Sequence, residues 1–405
     1  MIGAFKKIAR AAAIAAVLLL SPRAEAAAPL RTPTLSDIVQ INEDGFGTRA
    51  NKYAFSMAVY RDALYVGTLN IVNMPGMAAF FGGTSAAAVT HGAEVWRYEA
   101  DGTWTQMVEA GLGNKNNLGV RKMTVIDDCI YAVTANHDDG MEVWRTCDGY
   151  TWTVLADRGF GDPKNTSGRG LAFFDGYIYV GTENRTRGAQ LWRSEDGGAW
   201  EAVARNGIND KKNFWLSDLV EFKGRLYMGT LNLAGAQLFR TEDGIHFERL
   251  FNRGLTKTTN TAAMKLYVFQ DRLLVATMDF LRGFDLFASD DGVSFRRVLA
   301  NGYTDRHYGY LWQMQEFNGR LYAGLYYHRG LKLPYGRFGL LSSPDGLEWT
   351  VENADGFGFP WQYGIRTLAV FDNRLIIGTA SARYGCKVFS AAAATPAAAT
   401  PAATP

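Results

Sequence analysis

Three arginines share one repeating position. Arg121, Arg169 and Arg366 each stand ten residues after a glycine (Gly111, Gly159 and Gly356), and the same place in four further copies holds Phe55, Ser217, Met264 and Trp312. Guanidinium groups gathered on one axis repel one another unless an anion, a carboxylate network or water offsets the charge. Their planar donor forks suit a carboxylate, sulfate or phosphate. Two readings stay open: a ligand site for such an anion, or structural pairing with Glu221, Glu316 or loop acids. A second cluster lies in the last two copies, in RHYGYLW (306–312), YYHRG (326–330) and FPWQYG (359–364). Tyr308, Trp312 and Tyr363 are candidate ligand-binding rings there, because aromatic faces stack on sugars. Tyr327 and His328 are the candidate base and acid for removing a proton beside a uronate carboxylate held by arginine. Packing of the loops alone also accounts for these aromatics.

The elements that must position these groups repeat as well. The glycine recurs at Gly45, Gly111, Gly159, Gly207, Gly254, Gly302 and Gly356, and twelve residues later stands Met57, Met123, Leu171, Leu219, Leu266, Met314 or Leu368. Short apolar runs and tight turns follow each time. The third copy reads LAFF (171–174), the turn Asp175-Gly176, YIYVGT (177–182), AQLWRS (189–194), the turn 195–197 and AWEAVA (199–204). Asp-Gly between apolar runs is a hairpin signal, since the turn needs positive φ. Four antiparallel strands, A to D, thus make one unit, and units of roughly 48 residues predict radial stacking of small sheets. The fold class expected is all-β, a seven-bladed β-propeller with four-stranded blades over 36–390. The last unit lacks strand D after Ser390, while SDIVQINEDGFGT (36–48) matches the tail of a unit. The N-terminal strand is therefore predicted to complete the last blade beside 386–390, removing both open edges. Rings at matched places, such as Trp96, Trp144, Trp192 and Phe239 on strand C, are read as wedge filling between blades.

The C-to-D turns TCDGYTW, SEDGGAW, TEDGIHF, SDDGVSF and SPDGLEW resemble the Asp-box (BNR) repeats of sialidases and related secreted propellers. The resemblance implies that Asp148, Asp196, Asp243, Asp291 and Asp345 bond the backbone of their turns above an aromatic ring. It implies a scaffold and no reaction, since Asp boxes lie away from the ligand face. Each Asp here directly precedes glycine, one residue tighter than the family's usual form, and the early arginine motif of sialidases is absent.

Cys129 opens strand B of the second unit and Cys147 closes its strand C, directly opposite on antiparallel neighbours. A Cys129–Cys147 disulfide is predicted, because the equivalent pairs Arg225/Glu242 and Arg272/Asp290 are opposite charges suited to cross-strand contact. Cys386 is expected as a buried single thiol. Residues 1–26 have a basic start, an apolar run and a small-x-small end, the pattern of a cleaved signal peptide, and imply a secreted or periplasmic protein. Removing them takes the formal net charge from +2 to −1, which excludes an electrostatic footprint for nucleic acid. No transmembrane segment is expected in the mature chain. Residues 27–35 read as a linker and 391–405, rich in Ala, Thr and Pro, as a disordered tail. The loop NHDDG (136–140) holds His137, Asp138 and Asp139, too few ligands for a metal, and no cofactor motif is present. The apolar insertion 70–92 in the first unit reads as a lid or a protein-docking patch. Asn51, Asn117, Asn165, Asn213 and Asn260, six residues after the glycine, read as turn builders. The functional expectation is an exported binding module for an anionic small molecule or glycan at the channel mouth. The alternatives are a polysaccharide lyase or glycoside hydrolase acting on an acidic glycan, and an envelope protein-assembly scaffold.

Overall fold

A computed structural model describes residues 34–73, 89–328 and 336–394. The segment 1–26 read as a leader, most of the segment read as a linker, residues 74–88 of the insertion, Arg329 and Gly330 of the sixth-unit cluster, and 395–405 lie outside the described residues. The fold is all-β: 28 described strands join in one closed antiparallel sheet arrangement of β-propeller type. Their ladders group them in fours. In unit three, strand A (Ser167–Phe174) pairs with B (Tyr177–Glu183), B with C (Leu191–Ser194), and C with D (Glu201–Ala204). The A–B turn works as the sequence requires, with Asp175 and Gly176 at φ 47 and 79, the paired left-handed geometry of a tight hairpin.

The strand Leu35–Gln40 completes the last set. It pairs antiparallel with Val388–Ala393, placing Val39 opposite Ser390 and Leu35 opposite Ala393. Both assigned boundaries therefore move. Leu35 belongs to the sheet and not to the linker, and Ala391–Ala393 are strand and not tail: Ala391 pairs with Leu375, and Ala392 and Ala393 pair with Ser36 and Leu35. Alanines with no large side chain order here because each is held by a neighbouring strand.

Each repeat glycine sits in the left-handed region where strand D leads into the next strand A. At Gly111 (φ 67) an added Cβ would overlap the carbonyl groups of Asn114 and Asn117, so no side chain fits. The asparagine six residues on does build that turn. Asn51, Asn117, Asn165, Asn213 and Asn260 donate Nδ2 to the carbonyl of Gly45, Gly111, Gly159, Gly207 and Gly254 at 2.7–3.0 Å. Apolar side chains of adjacent units meet between them: Tyr179 and Leu191 of unit three pack with Leu216, Leu219 and Met228 of unit four. Phe160 stacks on Trp192 at 4.6 Å, and Phe46 on Trp96 at 5.0 Å.

Cys129 and Cys147 are disulfide-bonded, 18 residues apart, and Cys386 is a free, buried thiol. The cognate charge pairs form too, Arg272 to Asp290 at 2.7 Å and Arg225 Nε to Glu242 at 2.8 Å. A cross-link closing so short a loop constrains the unfolded chain by about 3 kcal/mol. Urea unfolding of the oxidised protein and of Cys129→Ser/Cys147→Ser should differ by about that amount, and equal midpoints would remove the bond from the account of stability.

Candidate functional site

The inner strands build the site. Where strand A enters, one residue bridges to the preceding unit, and these bridges run unbroken around the ring. The belt is Tyr53, Leu69, Gly119, Ala135, Ser167, Glu183, Trp215, Leu231, Ala262, Met278, Tyr310, Tyr326, Gly364 and Ala380, each paired with the next and Ala380 with Tyr53. Glu183 is its one charged residue.

Two residues further along strand A, every unit has a bulge. Gly168 opposes Thr182 and Gly170 opposes Gly181, so Arg169 between them has no partner across the ladder. The same shift frees Phe55, Arg121, Ser217, Met264, Trp312 and Arg366. A bulge bends the strand and re-aims the extra side chain. The repeat position singled out in the sequence is thus the bulge position, and the bulges gather its side chains around the channel.

Arg121, Arg169 and Arg366 are brought together. Arg121 and Arg366 both lie over the ring of Phe55, at 4.9 and 4.5 Å, and Arg366 also over Trp312 at 5.3 Å. Burial pushes the Arg121 guanidinium well below its ordinary range, and repulsion from Arg169 and Arg366 adds to this. Burial likewise lowers Arg366, to about 10. Arginine stays protonated in proteins, so these directions mark positive charge held where it is unfavourable. Neither Arg121 nor Arg366 has an ion pair or hydrogen bond among the described residues.

Arg169 is the exception. Its Nε donates to Glu183 at 2.9 Å, its Nη2 forms an ion pair with the same oxygen, and its guanidinium lies 3.4 Å over the ring of Trp215. Arg185 donates to the other oxygen of Glu183 at 2.8 Å. Burial opposes ionisation of Glu183, but Arg169 and Arg185 more than offset it and hold the carboxyl below the usual range. The pairing alternative in the sequence reading therefore holds for one arginine of three, with a different acid: Glu221 and Glu316 are exposed near the far ends of their strands. His137 lies at the same mouth. Loss of solvation lowers its imidazole, Glu183 opposes this, and Arg169 and Arg185 reinforce it.

One residue beyond the bulge, Asp218 accepts from Lys122 at 2.7 Å, Lys265 at 2.9 Å and the backbone N–H of Leu266 at 3.2 Å. Lys122 belongs to unit two and Asp218 to unit four; unit three has Gly170 at this place, where Leu219 of unit four packs against the bare backbone. Burial opposes the Asp218 charge and the two lysines more than offset it. Sequence reasoning missed this salt-bridged shelf and Glu183. The signal was available, since both are charges at repeat positions that are apolar or neutral in most copies.

Of the aromatic cluster, the candidate rings Tyr308, Trp312 and Tyr363 are buried, while Phe359 is exposed. Tyr308 is buried in the core between units five and six with Phe284, Leu286 and Leu325, so its candidacy as a ligand residue is withdrawn. It occupies the place of the turn asparagine, six residues after Gly302. Trp312 is 7 % exposed and Tyr363 0 %. Tyr363 donates to the Tyr53 hydroxyl at 2.6 Å, and Tyr310 stacks on Tyr326 at 4.4 Å. These rings form a packed wall behind Arg366. Tyr327 packs against His307 and Tyr308, and His328 against Phe280, Tyr326 and, at 6.2 Å, the same His307 ring. No group of metal-ligating side chains occurs among the described residues. Of the insertion, Val72 and Val89 are bonded to each other at its base and expose their side chains.

No protein-family model matches the chain, and no curated protein matches it. Among solved structures it is similar to a putative 6-phosphogluconolactonase from Bacteroides uniformis, at 12% identity and TM-score 0.51 over 78% of this chain and 89% of that one. It is also similar to the WD40 β-propeller domain of Doa1, at 10% identity and TM-score 0.50 over 89% and 97%. A xyloglucan-locus GH43B of Bacteroides ovatus aligns at 14% identity and TM-score 0.36 over 57% of this chain, which spans about half, 54%, of that protein. At these identities the likeness is one of fold. The class is a β-propeller, here with a cationic channel.

Proposed function

We propose that this chain is an exported, seven-bladed propeller that binds an anionic ligand, acidic glycans included, through Arg121, Arg366 and Arg169 at the channel mouth. The observation that carries the reading is the pair of guanidiniums on bulge residues with no acidic partner among the described residues, next to a third that has one. A stable fold ordinarily pairs or solvates such charges, and a ligand anion supplies the missing partner. The Cys129–Cys147 bond supports export, since disulfides persist in oxidising compartments. The turn aspartates support kinship with Asp-box scaffolds: Asp148, Asp243, Asp291 and Asp345 each accept from two backbone N–H groups of their turn.

His328 is buried against Phe280 and Tyr326, which weighs against the proton-abstraction reading, and binding without turnover is the form we adopt. Tryptophan fluorescence and calorimetry with glucuronate, uronate oligosaccharides and sulfated oligosaccharides test it. Wild-type protein should bind at least one of these, and Arg121→Gln or Arg366→Gln alone should weaken binding about tenfold or more. Binding indifferent to both substitutions would place the ligand elsewhere and end this reading.

A further inference from the structure

We infer that the ligand seated in the channel is a compact oxyanion of the sulfate or phosphate type, and that Ser167 and Ser217 are its hydroxyl ligands; the inference rests on the anion-binding reading above. Ser167 Oγ, Arg169 Nη1, Ser217 Oγ and Arg366 Nε are among the buried polar atoms that have no hydrogen-bond partner among the described residues. Ser167 is 2 % exposed and Arg169 7 %. Native proteins rarely leave buried donors unmade, because each then bears its full desolvation penalty. These four come from the belt position of unit three and the bulge positions of units three, four and seven, two successive levels of the inner strands. Arg169 already spends its Nε–Nη2 edge on Glu183, which leaves Nη1 as the donor on the opposite side of the guanidinium. All four can donate, and an anion with several acceptor oxygens satisfies donors that arrive from several directions.

Charge and shape argue for a small, highly charged species. At these levels and the next, Arg121, Arg169, Arg366, Lys122 and Lys265 face only Glu183 and Asp218 among the acids that couple to them, five cations against two carboxylates. The Lys122–Asp218–Lys265 shelf spans units two to five beneath the arginines and shortens the space available to a threaded chain. The rings that would stack on sugar residues are packed away, with Tyr326 2 % and Tyr363 0 % exposed. A polysaccharide would find cations here but no platform.

The test is calorimetry and thermal unfolding in sodium sulfate and sodium phosphate against sodium chloride, at equal ionic strength, with a sulfated hexasaccharide in parallel. Sulfate or phosphate should bind saturably and raise the unfolding midpoint. Ser167→Ala and Ser217→Ala should each weaken that binding about tenfold without lowering the midpoint measured in chloride, while Arg225→Gln on the outer surface should leave it unchanged. If the hexasaccharide binds through Arg121 and Arg366 but inorganic sulfate and phosphate do not, the compact-ligand inference falls and the anion-binding reading stands. If no anion binds saturably, both fall. Unaltered sulfate or phosphate affinity in both serine variants would overturn the assignment of the hydroxyls.

Discussion

A protein carrying both Arg121→Gln and Arg366→Gln should fold, melt at a higher temperature in low salt, and lose its anion ligand. The two side chains share the ring of Phe55 and have no acid of their own among the described residues. Each charge-assisted hydrogen bond to an anion is worth about 1.5–3 kcal/mol, so losing two should reduce affinity by at least about a hundredfold. The folded protein meanwhile sheds two buried positive charges that repel each other and Arg169. Replacing unbalanced buried charge with neutral side chains stabilises proteins by on the order of 1 kcal/mol or more. Calorimetric unfolding at two ionic strengths checks this, and the gain should shrink at high salt, where added anions already relieve the repulsion. A lowered midpoint together with unchanged binding would show that the arginines serve the fold.

Glu183→Gln should do the reverse. Arg169, Arg185 and His137 face this carboxylate, and its removal leaves the buried Arg169 guanidinium without a counter-charge, a change that ordinarily costs about 3–5 kcal/mol. Because the carboxyl is held below its ordinary range in the folded state, its contribution is complete above the unfolded value of about 4.3. It is lost as pH falls from there through the folded value. Wild-type stability should therefore decline below about pH 4, and the decline should be shallower in Glu183→Gln. Urea unfolding across pH 3–7 measures both. The double variant Arg169→Met/Glu183→Leu should recover most of the loss, since it leaves no fully buried orphan and Arg185, which also bonded Glu183, is part-exposed and can be solvated. Any Glu183→Gln protein that folds should bind anions more tightly than wild type, because the channel gains net positive charge. Equal slopes with pH would remove Glu183 from the acid response.

The architecture was legible because its rules are local and repeated. Gly-Asn spacing sets the turn into strand A, Asp-Gly sets the A–B hairpin, and the same matches across units place Cys129 opposite Cys147. The arginine position was legible for the same reason, although its physical cause, a bulge in every unit, is a property of ladder register that side-chain types do not announce. Single substitutions within a repeat were harder to read. Tyr308 looked like a ligand ring because aromatic content was weighed above its register, which puts it in a buried turn. Glu183 and Asp218 went unassigned because their partners come from other elements: Arg169 from the neighbouring inner strand, Lys122 from two units away. His328, next to Tyr327 in the chain, is buried against Phe280 and Tyr326, a packing that its residue type does not announce.

The strand contributed by residues 35–40 bonds to 388–393, and the hydroxyl of Ser36 reaches the carbonyl of Ala393 across 357 residues of chain. Such a clasp can form only after both segments have been made. A product cut short anywhere before Val388–Ala393 keeps a bare hydrogen-bonding edge at Leu35–Gln40 and another at its last strand, a state open to proteolysis and to pairing with other chains. That strand thus acts as a latch: a chain that carries it hides its edges, and a fragment without it advertises them.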